Sequence, residues 1–130
     1  KSSLKKLKIL IAEDDNISFI YLSTLLSKLG HEIIHAENGK RAIEICKAQN
    51  DIDIILMDIK MPEIDGLEAT MEIRKFNTKV YIIAQSAYVF EDDFINSKKV
   101  GCNEFLTKPI DKNEVIDMID NFIKNKKSPD

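Results

Sequence analysis

The chain has 130 residues, of which 44% are hydrophobic and 32% are charged, and its formal net charge at pH 7 is −3. These values fit one folded domain and exclude a disordered, collagen-like or coiled-coil chain. The slight acidic excess argues against nucleic acid as the main partner, which needs a basic surface, and no apolar run approaches the roughly 18 residues of a membrane span.

Five short apolar runs alternate along the chain with longer segments of helical period. The runs cover residues 8–12, 32–36, 53–57, 80–84 and 104–107. Three of them are nearly continuous in Ile, Leu and Val, which is typical of strands covered on both faces in a parallel sheet. Because right-handed crossovers place helices on both faces, the sequence predicts a doubly wound, five-stranded α/β domain. We expect it to span residues 7–124, between a linker at 1–6 and a flexible tail at 125–130.

Apolar residues between these runs recur at helical spacing. The first stripe consists of Leu22, Leu25, Leu26 and Leu29. The spacing recurs at Ala42, Ile45 and Cys46 and again at Val115, Met118, Ile119 and Phe122. Cys46 and Cys102 lie in apolar-patterned stretches, so we expect two buried free thiols rather than a metal site. His31 and His35 have no neighbouring ligand cluster, and we expect both at the surface beside a strand.

Polar residues follow four of the five predicted strands, at the edge where doubly wound sheets bind their ligands. They are Glu13, Asp14 and Asp15 after the first strand, Asp58 after the third, Ser86 just past the fourth, and Lys108 with Pro109 after the fifth. The second strand contributes no candidate. We therefore expect carboxylates, a hydroxyl and an ammonium group to meet at one edge of the sheet.

Such a cluster of carboxylates needs a cation, because two unit charges about 4 Å apart repel by on the order of 4 kcal/mol at an effective dielectric constant near 20. Hard oxygen ligands without His or Cys suit Mg²⁺ better than Zn²⁺. Lys108 and the Ser86 hydroxyl would then face the oxygens of a phosphoryl group, and a carboxylate can become an acyl phosphate.

Each of these positions also has an ordinary structural interpretation. Asp15 or Asn16 can simply cap the first helix. Asp58 can be a turn residue at the end of a strand, and Lys108 can be a solvated loop lysine.

Four stretches carry a known family signature in this order: ILIAEDD, LMDIKMPEIDG, IIAQSAY and EFLTKPI. Over residues 7–123 the chain resembles the receiver (phosphoacceptor) domain of two-component response regulators. The resemblance implies a flavodoxin-like sheet of strand order 2-1-3-4-5 with five helices. It also implies Mg²⁺-dependent acceptance of a phosphoryl group from a partner's phosphohistidine, followed by slow autodephosphorylation. The isolated domain is then a phosphoacceptor rather than a turnover enzyme.

The resemblance assigns the metal and acceptor positions residue by residue. Asp58 matches the phosphorylated aspartate. Glu13 and Asp14 match the acidic pair that holds Mg²⁺ together with Asp58, and the backbone carbonyl of Lys60 matches the remaining protein ligand. Glu13 stands where many members have Asp, so its longer side chain would reach the metal through water.

The resemblance also assigns positions around the phosphoryl group. Ser86, in place of the commoner Thr, and Lys108 match the hydroxyl and the lysine that contact it. Phe105 replaces the commoner Tyr at the aromatic switch position, and Pro109 matches a proline that usually follows a cis bond. Lys60 and Tyr88 lie two residues after the acceptor and the hydroxyl, where side chains modulate hydrolysis.

The first helix carries a candidate docking surface. Ile17 and Ile20 are predicted to project from the side opposite Leu22 and Leu26, beside the acidic edge. Because exposed apolar patches mark interfaces, we interpret the pair as a docking patch for the helices of the phosphodonor. Packing against a neighbouring loop is the alternative.

The resemblance also implies partners and a parent protein. The phosphodonor would be a histidine kinase or a histidine phosphotransfer domain, with no direct nucleic-acid contact and no membrane contact by this domain. A phosphorylation-dependent dimer is compatible with it. The EDDN opening, the SAY stretch and the MPEIDG loop favour the receiver of a hybrid sensor histidine kinase, and a stand-alone or DNA-binding response regulator is the alternative. We expect a cytoplasmic domain, whose parent chain can be membrane-anchored.

Two other classes of function remain open from the sequence. A haloacid-dehalogenase-type phosphatase would use Asp58 as its nucleophile but needs a second aspartate where Lys60 stands. A phosphorylation-independent scaffold receiver normally lacks part of the acid, hydroxyl and lysine set, which is complete here.

Overall fold

Strands and helices alternate along the chain in the computed structural model, which describes residues 6–87 and 91–127. The strands are β1 (Lys8–Ala12), β2 (Glu32–Ala36), β3 (Ile54–Asp58), β4 (Tyr81–Ser86) and β5 (Glu104–Thr107). The helices are α1 (Asn16–Lys28), α2 (Gly39–Ala48), α3 (Gly66–Arg74), α4 (Glu91–Val100) and α5 (Lys112–Lys127). Helix α5 thus continues past residue 124, the expected end of the domain. None of these helices has the length and apolar character needed to span a bilayer.

The five strands form one parallel sheet in the order β2-β1-β3-β4-β5. The order reverses between β1 and β3, which are direct neighbours in the sheet. This arrangement confirms the predicted doubly wound α/β fold and the strand order that the resemblance implied. The loops after β1 and β3 therefore lie side by side, at the position where such sheets bind ligands.

Two strands extend further than their apolar runs indicated. Strand β3 includes Asp58, and β4 includes both Gln85 and Ser86. The extension arises because the backbone ladder continues past the apolar residues: Asp58 is in register with Gln85, and Ser86 with Thr107. Both candidate residues are therefore held in the rigid sheet rather than in loops.

Side chains alternate between two buried layers, as expected for strands that are covered on both faces. Helices α1 and α5 cover one face, through residues such as Leu22, Leu26 and Ile119. Helices α2 and α3 cover the other face, through residues such as Ile45 and Ile73. Each fully buried aliphatic side chain contributes roughly 1.5–3 kcal/mol relative to an exposed one, so the two layers together fix the positions of the strand ends.

The prediction of two buried free thiols is confirmed, whereas one residue of the predicted apolar stripe on α1 is exposed. Cys46 and Cys102 are both buried and free. Leu29 is 48% exposed, because α1 ends at Lys28 and Gly30 takes a positive φ of 96° that turns the chain away. Glycine adopts this conformation without steric cost.

Side-chain hydrogen bonds cap the N-termini of three helices at the carboxyl edge of the sheet. Asp15 accepts a hydrogen bond from the Ser18 backbone nitrogen at 2.9 Å, so the capping role considered for it is confirmed. Asn38 caps α2 and Asp65 caps α3 in the same manner. Such caps typically contribute about 1 kcal/mol each, and here they fix the helix starts next to the candidate site.

His31 is buried, contrary to the surface position expected for it. Its Nδ1 accepts a hydrogen bond from the backbone nitrogen of Leu7 at 3.0 Å. Burial lowers the pKa of His31, although the charges of Asp120 and Asp53 act in the opposite direction. The imidazole is therefore held in its neutral form, because only an unprotonated Nδ1 can accept this hydrogen bond.

We expect acid to weaken the fold through His31. The folded pKa of His31 lies below its ordinary value of 6.5. The stabilisation that the neutral imidazole gives to the fold is therefore fully present above pH 6.5 and is lost as the pH falls through the folded pKa. His31→Asn keeps an acceptor that does not titrate, so its free energy of unfolding should fall less than that of the wild type between pH 7 and pH 5. His31→Leu leaves the Leu7 N–H unpaired and should cost about 1–3 kcal/mol at pH 7. Urea unfolding at both pH values measures this, and parallel pH profiles of the wild type and His31→Asn would contradict it.

Candidate functional site

Three carboxylates meet at the carboxyl edge of the sheet. Glu13 and Asp14 follow β1, Asp58 ends the neighbouring strand β3, and each offers an oxygen within 4.8 Å of the other two. Glu13 and Asp58 are buried, whereas Asp14 is exposed. The structure thus brings together the three acidic residues that the sequence analysis proposed as metal ligands.

Lys108 places its ammonium group between two of these acids. Its Nζ donates to Glu13 Oε1 at 2.8 Å and lies 3.5 Å from Asp58 Oδ2. Its backbone nitrogen donates to the carbonyl oxygen of Ser86 at 2.9 Å, which ties the loop after β5 to the end of β4. Burial alone would lower the pKa of Lys108, but the hydrogen bond to Glu13 and the charges of Asp58 and Glu13 outweigh it and raise the pKa. Lys108 is therefore a firmly charged group at the centre of the site.

The surroundings of Asp58 disfavour its ionised form. Burial and the negative charge of Glu13 raise its pKa to about 7, against the opposing effect of Lys108. One ammonium group does not neutralise the two buried carboxylates and the exposed Asp14 beside them. The arrangement favours a further cation near Asp58.

An open cavity of about 450 Å³ lies above these residues. Its walls are formed by Glu13, Asp14, Asp15, Ser18, Asp58, Lys60, Ala87 and Lys108. The walls thus carry four carboxylates and two ammonium groups, and they contain no His or Cys. This donor set fits a hard divalent cation such as Mg²⁺ together with a small anion facing Lys108.

Three of the predicted site residues do not line this cavity: Ser86, Phe105 and Pro109. Ser86 is fully buried at the end of β4, directly before the wall residue Ala87. Phe105 on β5 is partly buried and meets Phe94 of α4 edge-on, with the ring centroids 5.9 Å apart. The peptide bond between Lys108 and Pro109 is cis.

Lys60 links the loop after β3 to α4. Its backbone nitrogen donates to Asp58 Oδ1 at 3.3 Å, and its Nζ lies 3.8 Å from Asp93. Tyr88, the other residue predicted to modulate hydrolysis, lies outside the described residues.

Ile17 and Ile20 are exposed on α1 to 79% and 58%, which is unusual for isoleucine. Ile17 also lines a second cavity, of about 420 Å³, between α1 and the loop after β5. Lys108 and Ser18 belong to the walls of both cavities. The predicted docking patch therefore adjoins the acidic site directly.

Two polar residues beside the site, the partly buried His35 and the buried Gln85, were not predicted as part of it. Nε2 of His35 on β2 donates to the backbone carbonyl of Glu13 at 2.9 Å, and the imidazole stacks on Phe19 at 3.7 Å. Gln85 on β4 is fully buried, with its Nε2 3.5 Å from Glu13 Oε1. Their polarity was the available signal: His35 interrupts the apolar run of β2, and Gln85 directly follows the run at residues 80–84. Strand β2 thus contributes to the site through His35.

Gly66 leaves no room for a side chain against the end of β3. A Cβ at this position would collide with the backbone carbonyl oxygen of Asp58. The glycine is therefore needed for close approach: it lets α3 begin directly against the end of β3.

We expect Gly66→Ala to lower the free energy of unfolding by about 1–3 kcal/mol, the usual cost of overpacking. Helix propensity alone would predict the opposite sign, because alanine stabilises helices relative to glycine. Glu68→Ala, an exposed change in the same turn, serves as the control and should stay within about 0.5 kcal/mol of the wild type. Urea unfolding of the variants checks this, and a Gly66→Ala variant as stable as the wild type would show that the close approach has no cost.

Fold and site together define a doubly wound α/β domain that carries an acidic, lysine-containing site at the switch point of its sheet. Comparison with known families identifies residues 9–120 as a response regulator receiver domain. The chain belongs to this family and is a receiver domain of two-component phosphorelay signalling.

Relatives of several architectures are similar to this chain. The transcriptional regulatory protein ZraR of Klebsiella oxytoca is 33% identical over 107 residues, which cover 82% of this chain and 24% of that protein. Hybrid signal transduction histidine kinase L of Dictyostelium discoideum is 33% identical over 125 residues, covering 91% of this chain and 7% of that protein. This chain thus spans a quarter or less of either relative.

A solved structure supports the same fold. The receiver domain of the response regulator Ssk1, in its co-crystal structure with the histidine phosphotransfer signaling protein Ypd1 from Saccharomyces cerevisiae, has a TM-score of 0.90 and 28% identity. The match covers 98% of this chain and 95% of the Ssk1 chain.

Proposed function

We propose that the domain accepts a phosphoryl group on Asp58 from a phosphohistidine of a partner protein, in a reaction that depends on Mg²⁺. The observation that carries this proposal is the meeting of Glu13, Asp14 and Asp58 within 4.8 Å, with Lys108 in contact with two of them. An Asp58 oxygen forms a bond to phosphorus, the bond between phosphorus and the histidine nitrogen breaks, and its electron pair stays on the imidazole.

The donor set in the cavity suits the metal that this reaction requires. Asp14, Asp58 and the backbone carbonyl of Lys60 would hold Mg²⁺, with Glu13 acting through water. The cation supplies charge neutralisation on the oxygens of the transferred group.

The chain's own residues orient the phosphoryl group. Lys108 already lies 3.5 Å from Asp58 Oδ2 and neutralises charge on the phosphoryl oxygens from the side of β5. The Ser86 hydroxyl group, at the end of β4, donates a hydrogen bond to the phosphoryl oxygens. The same arrangement admits water for slow hydrolysis of the acyl phosphate, which Lys60 and Tyr88 modulate.

Phosphorylation adds roughly two negative charges at Asp58 and draws Ser86 and Lys108 towards them. Ser86 and Phe105 then act as a switch, because movement of Ser86 opens space for the Phe105 ring, which now rests against Phe94. NMR of the Phe105 ring with and without beryllofluoride measures the switch. A ring whose signals do not change would contradict it.

The phosphodonor is a histidine kinase or a histidine phosphotransfer domain, in line with the Ssk1 complex with Ypd1. Ile17 and Ile20 form its docking patch, because both are exposed apolar side chains on α1 beside the site. The domain is the cytoplasmic receiver of a hybrid sensor histidine kinase, whose full chain can be membrane-anchored, and the alternative is the receiver of a stand-alone or DNA-binding response regulator. The full-length gene sequence decides between them.

We expect Ile17→Asp and Ile20→Asp to slow phosphotransfer from the cognate phosphodonor by about tenfold each, the cost of losing an interface anchor. Phosphorylation by acetyl phosphate, which needs no docking, should remain unchanged. Ile95→Asp, an exposed isoleucine on α4, is the matched control and should behave as the wild type in both assays. Phosphotransfer that is unaffected by the α1 changes would remove the docking role.

Incubation with Mg²⁺ and acetyl phosphate, followed by intact-mass measurement, tests the proposed function. Gain of one phosphoryl group in the wild type, and its loss in Asp58→Ala, supports a phosphoacceptor. Continuous release of many phosphates per chain would instead indicate an Asp-nucleophile phosphatase. An unmodified wild-type chain would indicate a scaffold that works without phosphorylation, and either result contradicts the proposal.

A further inference from the structure

Gln85 is a fully buried amide in the middle of the site. It lies on β4 in register with Asp58 on β3 and with Leu106 on β5. Its Nε2 points towards Glu13 Oε1 at 3.5 Å, and its Oε1 has no hydrogen-bond partner among the described residues. Since a carboxylate only accepts hydrogen bonds, the amide must face Glu13 with its NH₂ group. The fold keeps this orientation although it leaves a buried carbonyl oxygen unpaired.

Glu13 depends on few donors for its buried charge. Its Oε1 accepts from Lys108 Nζ at 2.8 Å, and its Oε2 accepts from the backbone nitrogen of Asp15 at 3.2 Å. The Gln85 amide is the other side-chain donor that faces Oε1 among the described residues. Lys108 makes the shortest of these contacts and is the positively charged donor to Glu13 among the described residues, so Glu13 relies on it before phosphorylation.

The proposed reaction takes Lys108 away from Glu13. The phosphoryl group brings roughly two negative charges to Asp58 and competes with Glu13 for the same ammonium group. Glu13 Oε1 then loses its best donor while the residue remains fully buried, and a buried carboxylate oxygen that loses its donor is disfavoured. The Gln85 amide is already aimed at this oxygen and is close enough to shorten its contact.

We propose that Gln85 is a positioning residue that takes over the hydrogen bond to Glu13 Oε1 when Lys108 turns to the phosphoryl group on Asp58. This inference rests on the proposed function and adds to it a residue that keeps Glu13 in place after the phosphoryl group arrives. Gln85 itself contacts neither the metal nor the phosphoryl group.

Gln85→Met tests the proposal, because methionine has a similar length but donates no hydrogen bond. NMR titrations of the wild type and the variant measure the Kd of Mg²⁺ alone and then the Kd of beryllofluoride in saturating Mg²⁺. With Mg²⁺ alone Lys108 still holds Glu13, so the two Kd values for Mg²⁺ should agree within about twofold. With beryllofluoride, the variant should bind about tenfold more weakly, the effect of one hydrogen bond to a charged group.

Two further variants separate this role from a structural one. Gln85→Asn keeps an amide that is too short to reach Glu13, and it should behave as Gln85→Met does. Leu22→Met changes a buried residue that lines the same cavity as Gln85, and it should bind beryllofluoride as the wild type does. Urea unfolding of each variant shows that the fold is retained.

The outcomes distinguish this inference from the function on which it rests. Weaker beryllofluoride binding with unchanged Mg²⁺ binding supports it. Equal losses in both titrations, or wild-type behaviour of both Gln85 variants, would overturn the role of Gln85 alone while the wild type still binds beryllofluoride. A wild-type chain that binds no beryllofluoride would overturn both the role of Gln85 and the proposed function.

Discussion

Replacing Lys108 by alanine should slow phosphorylation of Asp58 by about 100-fold, the usual effect of removing one preorganised donor to a developing charge. Lys108 Nζ lies 3.5 Å from Asp58 Oδ2 and 2.8 Å from Glu13 Oε1, so its ammonium group is held against both buried carboxylates. Alanine removes the ammonium group, leaving Asp58 and the incoming phosphoryl group to repel each other.

The rate is measured by intact-mass time courses with acetyl phosphate in saturating Mg²⁺. Lys112→Ala is the control, because it removes an exposed positive charge close by in the sequence without touching the acids. It should stay within about fivefold of the wild type, as expected for a solvated charge. A Lys108→Ala rate that also lies within this range would mean that Lys108 does not contact the transferred group.

Asp58→Asn should stabilise the metal-free domain at neutral pH. The folded pKa of Asp58, about 7, lies above its ordinary value of 3.8, so the wild type loses stability as the pH rises from about 4 to 7. Asparagine stays neutral over this range. We expect the variant to be more stable than the wild type by on the order of 2 kcal/mol at pH 7.5, given about 1.4 kcal/mol per unit of pKa and a discount for solvent screening, because Asp58 borders an open cavity.

Urea unfolding in the presence of a chelator measures this difference as a function of pH. The gain should disappear as the pH falls below the ordinary value of 3.8, where Asp58 becomes protonated in both the folded and the unfolded wild type. A saturating concentration of Mg²⁺ should reduce the gain at pH 7.5, because the cation relieves the repulsion only where the Asp58 carboxylate is present. A pH-independent difference would place its origin in packing rather than in the charge of Asp58.

The fold was predictable because its signals are local. Strands covered on both faces appear as continuous apolar runs, and the single helices between them leave a doubly wound sheet as the consistent arrangement. The strand order came from the resemblance to receiver domains, and the structure confirms it. The ends of β3 and β4 were placed too early, since Asp58 and Ser86 are polar residues that nevertheless continue the backbone ladder.

The acidic cluster was predictable for a related reason. Residues that directly follow parallel strands meet at one edge of the sheet, so Glu13, Asp14 and Asp58 could be grouped from their positions alone. Burial could not be predicted in the same way. Glu13 is fully buried and Asp14 is exposed, although they are adjacent in the sequence, because the side chain of Glu13 turns towards Lys108.

The supporting polar residues were missed because their role is visible only in three dimensions. Gln85 directly follows an apolar run, and the sequence gives no signal for burial of its amide beyond its polarity. His35 lies on β2, for which the sequence predicted no site residue, yet its imidazole donates a hydrogen bond to the backbone carbonyl of Glu13. Both residues act on Glu13, a contact between different strands that spacing along the chain does not indicate.

A crystal structure of the domain with Mg²⁺ and beryllofluoride is the most direct test of the central claim. We predict a beryllium atom bound to an oxygen of Asp58, Lys108 in contact with its fluorides, and Mg²⁺ held by Asp14, Asp58 and the carbonyl of Lys60. Density for the fluoride complex at another residue, or a metal ion bound away from Asp58, would contradict the assignment of this site to phosphoryl acceptance.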